Sequence, residues 1–156
     1  MNELAELLIE KGITISSVES FTVGNFATML GSIPGISKVY KGSLITYQSE
    51  TKERLLSIDH ALIQKYGVVS KEIATLMCVN GKSILDTDLC VSFTGNAGPD
   101  AMEGKPVGEV YIGIAYQDVV VYKLNLTGSR QEIASKAVEF AEKKIIEKIN
   151  ENLKKN

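Results

Sequence analysis

The sequence predicts an α/β fold in three layers, with helices on both faces of a mixed, mostly parallel sheet. Helix-type and strand-type runs alternate up to residue 94, as is typical of parallel strands joined by helical crossovers. The run at 88–94 is mostly apolar, as strands buried on both faces are. Two later strand-type runs, 109–116 and 119–126, are separated by Gln117-Asp118 only, which predicts an antiparallel hairpin.

The elements follow one another with no repeat, low-complexity segment or linker, so we expect a single domain over residues 1–156. The predicted helices lie at 3–11, 24–30, 49–56 and 59–66, with a short helical turn at 36–40, a longer helix after Ser70 and a last helix after Ser129 whose tail, 151–156, frays. The predicted strands lie at 13–18, 41–47, 88–94, 109–116 and 119–126.

Polar side chains mark where several helices begin. Ser49, Asp59 and Ser70 are predicted N-caps, because their oxygens accept a hydrogen bond from a free amide of the first turn. Ser129 and Glu132 have the spacing of a capping box. Inward-facing apolar side chains are predicted on the last two helices, at Ile73, Leu76, Met77, Ile84, Ile133, Ala137, Phe140, Ile145 and Ile149.

The composition is that of an ordinary soluble protein. Lys and Arg number 17 against 19 Asp and Glu, a net charge of −2, which gives no electrostatic reason to expect nucleic acid or an anionic membrane as a partner. No apolar run approaches the ~20 residues of a membrane helix, and the first residues lack the basic start and apolar centre of a signal peptide. We therefore expect a cytoplasmic protein.

The cysteines and the single histidine point away from a metal site. Cys78 and Cys90 each lie in an apolar stretch, which predicts core packing rather than a disulfide. His60 follows Asp59 at the start of a helix, as a solvated helix end would. Because no set of His, Cys and carboxylate ligands has zinc-like spacing, we expect neither a metal nor another cofactor, and no catalytic triad that uses histidine.

Three strand ends carry unusual polar clusters, at 19–22, 46–52 and 94–99. In an α/β sheet, strands of the same sense end at one edge, and ligands bind there. The three clusters are therefore expected to converge on one cleft. Arg130, at the start of the last helix, is expected to join them.

Such a cleft is suited to acyl transfer. Ser20 would be the nucleophile, and since no histidine is available, Lys52 would be its base if burial or a nearby cation lowers its pKa. Tyr47 would pass or donate a proton. The amides of 95–98 would stabilise an oxyanion, and Arg130 would clamp a phosphate or a carboxylate.

Each of these residues also has a structural interpretation. Ser20 and Thr22 could cap the following helix, Tyr47 could be a half-buried aromatic at a strand end, and Lys52 could be a solvated helix lysine. The run from Ser49 to Lys52 matches the S-x-x-K pattern of penicillin-recognising enzymes. Because neither Ser-Asp-Asn nor Lys-Thr-Gly accompanies it, we attribute that match to chance.

Taken in order, the motifs resemble those of the CinA carboxy-terminal domain family, the nicotinamide mononucleotide deamidases. The family's Glu-Ser-Cys-Thr-Gly-Gly stretch stands here as Glu19-Ser20-Phe21-Thr22-Val23-Gly24. The remaining matches, which together span nearly the whole chain, are Thr46-Tyr47 with Lys52, Gly67-Val68-Val69-Ser70, Gly95-Asn96-Ala97-Gly98-Pro99, Lys105-Pro106-Val107-Gly108 and Gly128-Ser129-Arg130.

The resemblance implies a stand-alone amidohydrolase domain that converts nicotinamide mononucleotide to nicotinic acid mononucleotide and ammonia without a metal. It assigns Ser20 as the nucleophile, Lys52 as its base and Tyr47 as an assisting group. The substrate-binding or oxyanion-site residues that it implies are Glu19, Thr22, Gly24, Thr94, Gly95, Ala97, Gly98 and Arg130. The expected partner is thus a small nucleotide, and the sequence leaves open whether the protein is a monomer or a homo-oligomer, a dimer or higher.

Three departures from the family pattern leave alternatives open. Phe21 replaces the usual Cys, Val23 replaces a Gly, and Asn96 adds a polar group. Because a β-branched side chain disfavours positive φ, Val23 would narrow the pocket or redirect the nearby amides. The alternatives are a catalytically weak or inactive nucleotide-binding or interaction protein of the same fold, or an enzyme that acts on another amide.

Overall fold

A computed structural model describes residues 1–155. Its five-stranded sheet has the order β2-β1-β3-β4-β5, and four of the five strands run in the same sense because only β4 is reversed. The strands are β1 (Ile15–Glu19), β2 (Tyr40–Ile45), β3 (Leu89–Gly95), β4 (Glu109–Tyr116) and β5 (Asp118–Asn125). The predicted mixed, mostly parallel sheet is confirmed, including the hairpin of β4 and β5.

Six α-helices and one 3-10 helix are described within residues 1–155. They are α1 (Asn2–Lys11), α2 (Asn25–Gly31), the 3-10 helix (Ile36–Lys38), α3 (Ser49–Leu56), α4 (His60–Tyr66), α5 (Lys71–Leu85) and α6 (Arg130–Lys155). Apolar side chains of α1, α2 and α6 pack on one face of the sheet, and those of α3, α4 and α5 pack on the other. The predicted three layers are therefore present.

β3 is the central strand and is buried on both faces. Leu89, Val91 and Phe93 face the α1–α2–α6 layer, whereas Cys90 faces the α3–α4–α5 layer. This alternation follows from the two-residue period of a strand, and it accounts for the mostly apolar sequence of the run. Cys78, on α5, is also buried, and both thiols are free.

Three local predictions about the helices are wrong. Ser49 is the first residue of α3 and its side chain does not cap the helix, since Gln48 takes the cap position. Ile84 is 49% exposed because it lies on the solvent side of α5. The tail from Glu151 does not fray, because α6 continues to Lys155; Asn156 lies outside the described residues.

The other predicted helix starts are confirmed. Asp59 and Ser70 each accept a first-turn amide, from Ala61 at 2.9 Å and from Ile73 at 3.2 Å. Ser129 and Glu132 exchange hydrogen bonds in the capping box. Within residues 1–155, none of the helices is both long enough and apolar enough to span a bilayer.

Candidate active site

The carboxyl ends of β2, β1 and β3 lie side by side. Glu19, the last residue of β1, pairs with Ile45 on β2 and with Phe93 on β3. Beyond the strands, the Ser20 amide donates to the Phe93 carbonyl at 2.9 Å, and the Thr46 amide donates to the Glu19 carbonyl at 2.9 Å. The parallel pairing thus brings the three predicted polar clusters to one edge of the sheet, as the sequence analysis expected.

The side chain of Lys52 is completely buried and points back from α3 to this edge. Its Nζ lies 3.2 Å from Ser20 Oγ, 2.6 Å from the Thr46 carbonyl oxygen and 3.3 Å from the Tyr47 carbonyl oxygen. The interpretation of Lys52 as a solvated helix lysine is therefore wrong. The two carbonyls accept two of the N–H groups on Nζ. The third substituent of Nζ, an N–H when the lysine is charged and a lone pair when it is neutral, is directed at the Ser20 hydroxyl.

Burial lowers the pKa of Lys52 to about 8, and the negative charge of Glu103 opposes that change. No carboxylate of residues 1–155 lies within 4.0 Å of the ammonium. A pKa of about 8 leaves about one lysine in ten neutral at pH 7. When neutral, Lys52 has two N–H groups for the two carbonyls and a lone pair for the Ser20 proton, which is the arrangement that a general base requires.

Glu19, rather than Ser20 or Thr22, caps α2. Its carboxylate is fully buried and accepts the amides of Phe26 at 3.3 Å and Ala27 at 2.9 Å. It also accepts the Thr22 hydroxyl at 2.7 Å and the Ser17 hydroxyl at 3.1 Å. The interpretation of Ser20 and Thr22 as helix caps is therefore wrong, and the positive end of α2 is already occupied by a side chain of the protein.

This internal bonding separates Glu19 and Thr22 from the cavity at Ser20. Neither lines that cavity, and the Thr22 hydroxyl is committed to Glu19. Gly24, the third of the residues expected to bind substrate from this stretch, is the N-cap residue of α2 with φ 84° and does not line the cavity either. These three residues belong to the turn that presents Ser20, and Thr22 also lines a cleft next to the cavity; their role in binding substrate stays a prediction.

The phenol of Tyr47 faces Arg130. Arg130 Nη2 donates to the phenolic oxygen at 2.6 Å, and Nη1 of the same guanidinium donates to the Gly98 carbonyl. The contacts of Tyr47 with Ser20 and Lys52 are made by its backbone carbonyl. Arg130 therefore connects the end of β2 to the glycine-rich loop across the mouth of the site.

A cavity of about 230 Å³ opens above Ser20. Its walls come from the ends of β1, β2 and β3, from the loop after β3 and from Arg130, and they include the expected residues Thr94, Gly95, Ala97 and Gly98. A Cβ on Gly95 would lie 2.7 Å from the Val110 backbone, so glycine permits the close approach of β4 here. The predicted contribution of the glycine-rich loop to the site is thus geometrically possible.

The loop after β3 is held by Asn96, one of the three departures from the family pattern. Its Oδ1 accepts the Gly98 amide at 3.1 Å, and its Nδ2 donates to the Lys105 carbonyl at 3.3 Å. Its amide donates to the Glu109 carbonyl at 2.9 Å, and its carbonyl accepts the Gly108 amide at 2.7 Å. The extra polar group is thus satisfied within the loop and supports its conformation.

These bonds restrict which amides can stabilise an oxyanion. The amides of Asn96 and Gly98 are occupied, so the expectation for 95–98 as a whole is too broad. The amides of Phe21 and Ala97 have no acceptor within the part of the chain that the structure describes. Phe21 follows Ser20, and the amide after a nucleophilic serine is a common oxyanion donor; Phe21 and Ala97 are therefore the candidates if Ser20 is a nucleophile.

A second cleft, of about 520 Å³, adjoins the first and shares Phe21 and Arg130 with it. Val23 lines this second cleft, with φ 48° and a 59% exposed side chain. It does not line the cavity at Ser20. A β-branched residue with positive φ is rare and strained, and the Val23 amide donates to the Ser20 carbonyl at 3.1 Å.

Val68 and Glu103 are among the contributors to the site that the sequence analysis does not single out. Val68 lines the cavity and accepts the Thr94 hydroxyl at 2.6 Å, while Glu103 binds the Val68 amide and acts on Lys52. Gly67-Val68-Val69-Ser70 was noted only as a family-like stretch. The contact spans 35 residues of sequence, and no local pattern indicates it. Within residues 1–155, no group of three or more His, Cys, Asp or Glu residues is placed to hold a metal ion.

The chain is similar to several known proteins. A family model described as the CinA C-terminal domain matches residues 1–149. A protein of Bacillus thuringiensis (strain Al Hakam), named as competence-damage inducible, is 40% identical over 94% of this chain and 36% of its own length. One of Levilactobacillus brevis with the same name is 42% identical over 86% of this chain and 33% of its own. The chain thus spans about a third of the length of these curated relatives.

Solved structures share the fold. A CinA superfamily protein from Klebsiella pneumoniae superposes with a TM-score of 0.93 at 24% identity, over 96% of this chain and 95% of that one. The competence/damage inducible protein CihA from Agrobacterium tumefaciens gives a TM-score of 0.87 at 28% identity, over 93% of each chain. By the family match over residues 1–149, the chain belongs to the CinA C-terminal domain family.

Proposed function

We propose that this protein is an amidohydrolase that converts nicotinamide mononucleotide to nicotinic acid mononucleotide and ammonia through an acyl-enzyme on Ser20. The observation that supports this most directly is the fully buried Lys52 amine, 3.2 Å from Ser20 Oγ and without a carboxylate partner in residues 1–155. A serine needs a base before it can attack an amide, and this geometry supplies one. The choice of substrate rests on the family resemblance.

In the first half of the reaction, neutral Lys52 takes the Ser20 proton while Oγ attacks the carboxamide carbon. The carbonyl oxygen becomes an oxyanion, for which the amides of Phe21 and Ala97 are the candidate donors. Lys52 then returns the proton to the amide nitrogen as the C–N bond breaks. Ammonia leaves, and the acyl group remains as an ester on Ser20.

In the second half, the neutral Lys52 takes a proton from water, and the hydroxide attacks the ester. The C–O bond to Ser20 breaks, Oγ recovers the proton from Lys52, and the carboxylic acid is released. Each proton that Lys52 accepts is returned by the end of the sequence. The two steps as written use no oxidant, reductant or metal. Tyr47 acts as a support for Arg130 in this scheme, since its phenol accepts from the guanidinium.

A second candidate is a nucleotide-binding protein of the same fold with little or no turnover. The observation that favours it is Phe21, which is 4% exposed and lines both the cavity and the second cleft. The family has a cysteine at this position. The phenylalanine ring is larger, so it leaves less space between the cavity and the second cleft. A third possibility is the same chemistry on another carboxamide.

The test is ammonia release and mass analysis of the product after incubation with nicotinamide mononucleotide. Ser20→Ala removes the nucleophile, and Ser83→Ala, an exposed position on α5, is the matched control. We expect product from the parent and the control but none from Ser20→Ala. A ligand-induced rise in melting temperature without product would support the binding protein instead. If neither product nor a rise in melting temperature is observed, nicotinamide mononucleotide is not the ligand.

A further inference from the structure

Two of the four residues between α4 and α5, Val68 and Val69, have all four of their backbone polar groups bound by one other segment. Glu103 Oε1 accepts the Val68 amide at 2.8 Å, and Oε2 accepts the Val69 amide at 3.2 Å. The Val68 carbonyl accepts the Thr94 hydroxyl at 2.6 Å, and the Val69 carbonyl accepts Lys105 Nζ. We call this set of contacts the Val68–Val69 clasp.

The clasp depends on a glycine and on a tight turn. A Cβ on Gly67 would lie 2.5 Å from Glu103 Oε2, and its φ is +75°, so no other residue fits there without moving the carboxylate. On the opposite side, Met102 and Lys105 form an isolated β-bridge, with the Lys105 amide 2.8 Å from the Met102 carbonyl. The turn thus presents Glu103 and Lys105 together to the dipeptide.

The clasp forms one wall of the cavity at Ser20. Val68, Thr94 and Met102 all line that cavity, and each belongs to a segment that the clasp joins. Glu103 itself does not line the cavity, and both of its carboxylate oxygens accept backbone amides of the dipeptide. Its charge nevertheless acts on Lys52 across the wall.

On this basis we propose that Glu103 is a positioning residue, which holds the Val68 and Val69 amides and thereby fixes the Val68 wall of the cavity at Ser20. The role in catalysis rests on the proposed amidohydrolase function, whereas the effects on the wall and on Lys52 do not. Sequence resemblance assigned no role to Glu103.

Several other charged or titratable groups lie on α3 and on the segments around the cavity at Ser20. They are Glu50 and Glu53 on α3, Tyr47 after β2, Arg130 at the start of α6, and Asp100 and Lys105 on the loop after β3. Among these groups and Glu103, only Glu103 has a resolved electrostatic effect on Lys52, and it raises the pKa against the lowering by burial. Removing its charge should therefore lower the pKa of Lys52 further.

The experiment follows the Lys52 side chain by NMR in protein with ¹³C-labelled lysine, with Lys52→Arg to assign the signal. In Glu103→Gln we expect the titration midpoint of Lys52 to move to lower pH and the Val68 and Val69 amides to exchange faster. Glu50→Gln is the matched control, because it removes an exposed carboxylate two positions from Lys52 and leaves the clasp intact. Glu50→Gln should change neither the titration midpoint of Lys52 nor the exchange rates of the Val68 and Val69 amides.

Lys105→Met separates the clasp from the charge. It should speed amide exchange around Val69 but leave the Lys52 midpoint in place, because Glu103 remains. If the parent is active, Glu103→Gln should also raise KM, by up to about fivefold where the loss of one clasp hydrogen bond is passed in full to the Val68 wall, and move the pH profile of kcat/KM to lower pH. Val68 and Val69 amides that exchange no faster in Glu103→Gln than in the parent, or a change of the same size in Glu50→Gln, overturn the proposal; an inactive parent refutes only the proposed function.

Discussion

Lys52 Nζ lies 3.2 Å from Ser20 Oγ, although 32 residues separate the two along the chain. The contact exists because β1 and β2 are parallel neighbours, so that the residue after β1 and the helix after β2 start from the same edge of the sheet. The lysine side chain is fully buried, and two backbone carbonyls direct its third position at the hydroxyl. The backbone thus fixes the geometry of the proposed base.

The first prediction concerns the pH dependence of the reaction. Because Lys52 must be neutral to accept a proton and its pKa is about 8, kcat/KM should rise with pH up to about 8 and then level off. Lys52→Arg keeps the positive charge but cannot act as a base near neutrality, so kcat should fall by at least about a hundredfold. Steady-state ammonia release from pH 6 to 9.5 tests this. A flat profile, or an active Lys52→Arg, would remove Lys52 from the role of base.

The second prediction concerns stability. In the unfolded chain Lys52 has its ordinary pKa of 10.5, whereas in the folded protein the value is about 8. Between these two pH values the unfolded state holds a proton that the folded state has lost, so the free energy of unfolding rises with pH in that window. The cost of charging Lys52 in the folded state is fully present below about pH 8 and amounts to roughly 3 kcal/mol.

Lys52→Met removes this cost but leaves the Thr46 and Tyr47 carbonyls without their donor, at about 1 kcal/mol each. Those losses do not depend on pH, so the free energy of unfolding of the parent should rise relative to that of the variant by roughly 3 kcal/mol between about pH 8 and pH 10.5. Urea unfolding of both proteins across this range measures the difference, in which the other titrating groups cancel. A difference that is independent of pH would contradict the lowered pKa.

The general layout of the site could be predicted from the sequence because strand ends are local features. Each polar cluster follows a recognisable strand, and parallel strands of one sense end together. The long-range contacts could not be predicted in the same way. Nothing near Glu19 indicates that its carboxylate turns back onto α2, and nothing near Glu103 indicates Val68 as its partner.

Burial was the other unpredictable quantity. A helix lysine is usually solvated, and only the packing of α3 against the sheet edge shows that Lys52 is not. The exposed Ile84 is the opposite case, since helical periodicity alone placed it inside. In both cases the outcome depends on which neighbouring elements cover the residue, and that is a property of the assembled fold.

The third prediction concerns the strain at Val23. With φ 48°, the branched side chain occupies a conformation that costs about 1–2 kcal/mol for residues other than glycine. Val23→Gly should therefore stabilise the protein by about 1 kcal/mol. Val119→Gly is the matched control, because Val119 is 42% exposed in the regular strand β5, and the same change there should destabilise. Thermal and urea unfolding measure whether each variant gains or loses stability relative to the parent. A destabilised Val23→Gly would show that glycine does not relieve the strain.

The fourth prediction tests whether Tyr47 acts through Arg130. If the phenol supports the guanidinium, Tyr47→Phe and Arg130→Met should each lower kcat/KM, and the double variant should be little worse than Arg130→Met alone. If the phenol instead transferred a proton, the two losses would add. The kinetic comparison of the four proteins with nicotinamide mononucleotide decides between the two roles.

The last prediction concerns Glu19 as the organiser of the Ser20 turn. Glu19→Ala leaves two amides and the Thr22 hydroxyl without their acceptor in a buried site, while Ser17 keeps Ser43 as a partner, so we expect a loss of about 3 kcal/mol or more in the free energy of unfolding. Glu19→Gln keeps one oxygen for the α2 amides, and the hydroxyls of Ser17 and Thr22 can rotate to accept from its amide group, so most of the stability should return. Glu132→Ala, which removes an exposed capping carboxylate from α6, should have a smaller effect. Because Glu19 shapes the turn without lining the cavity, Glu19→Gln should lower kcat more than it raises KM; the reverse pattern would indicate that Glu19 contacts the substrate after all.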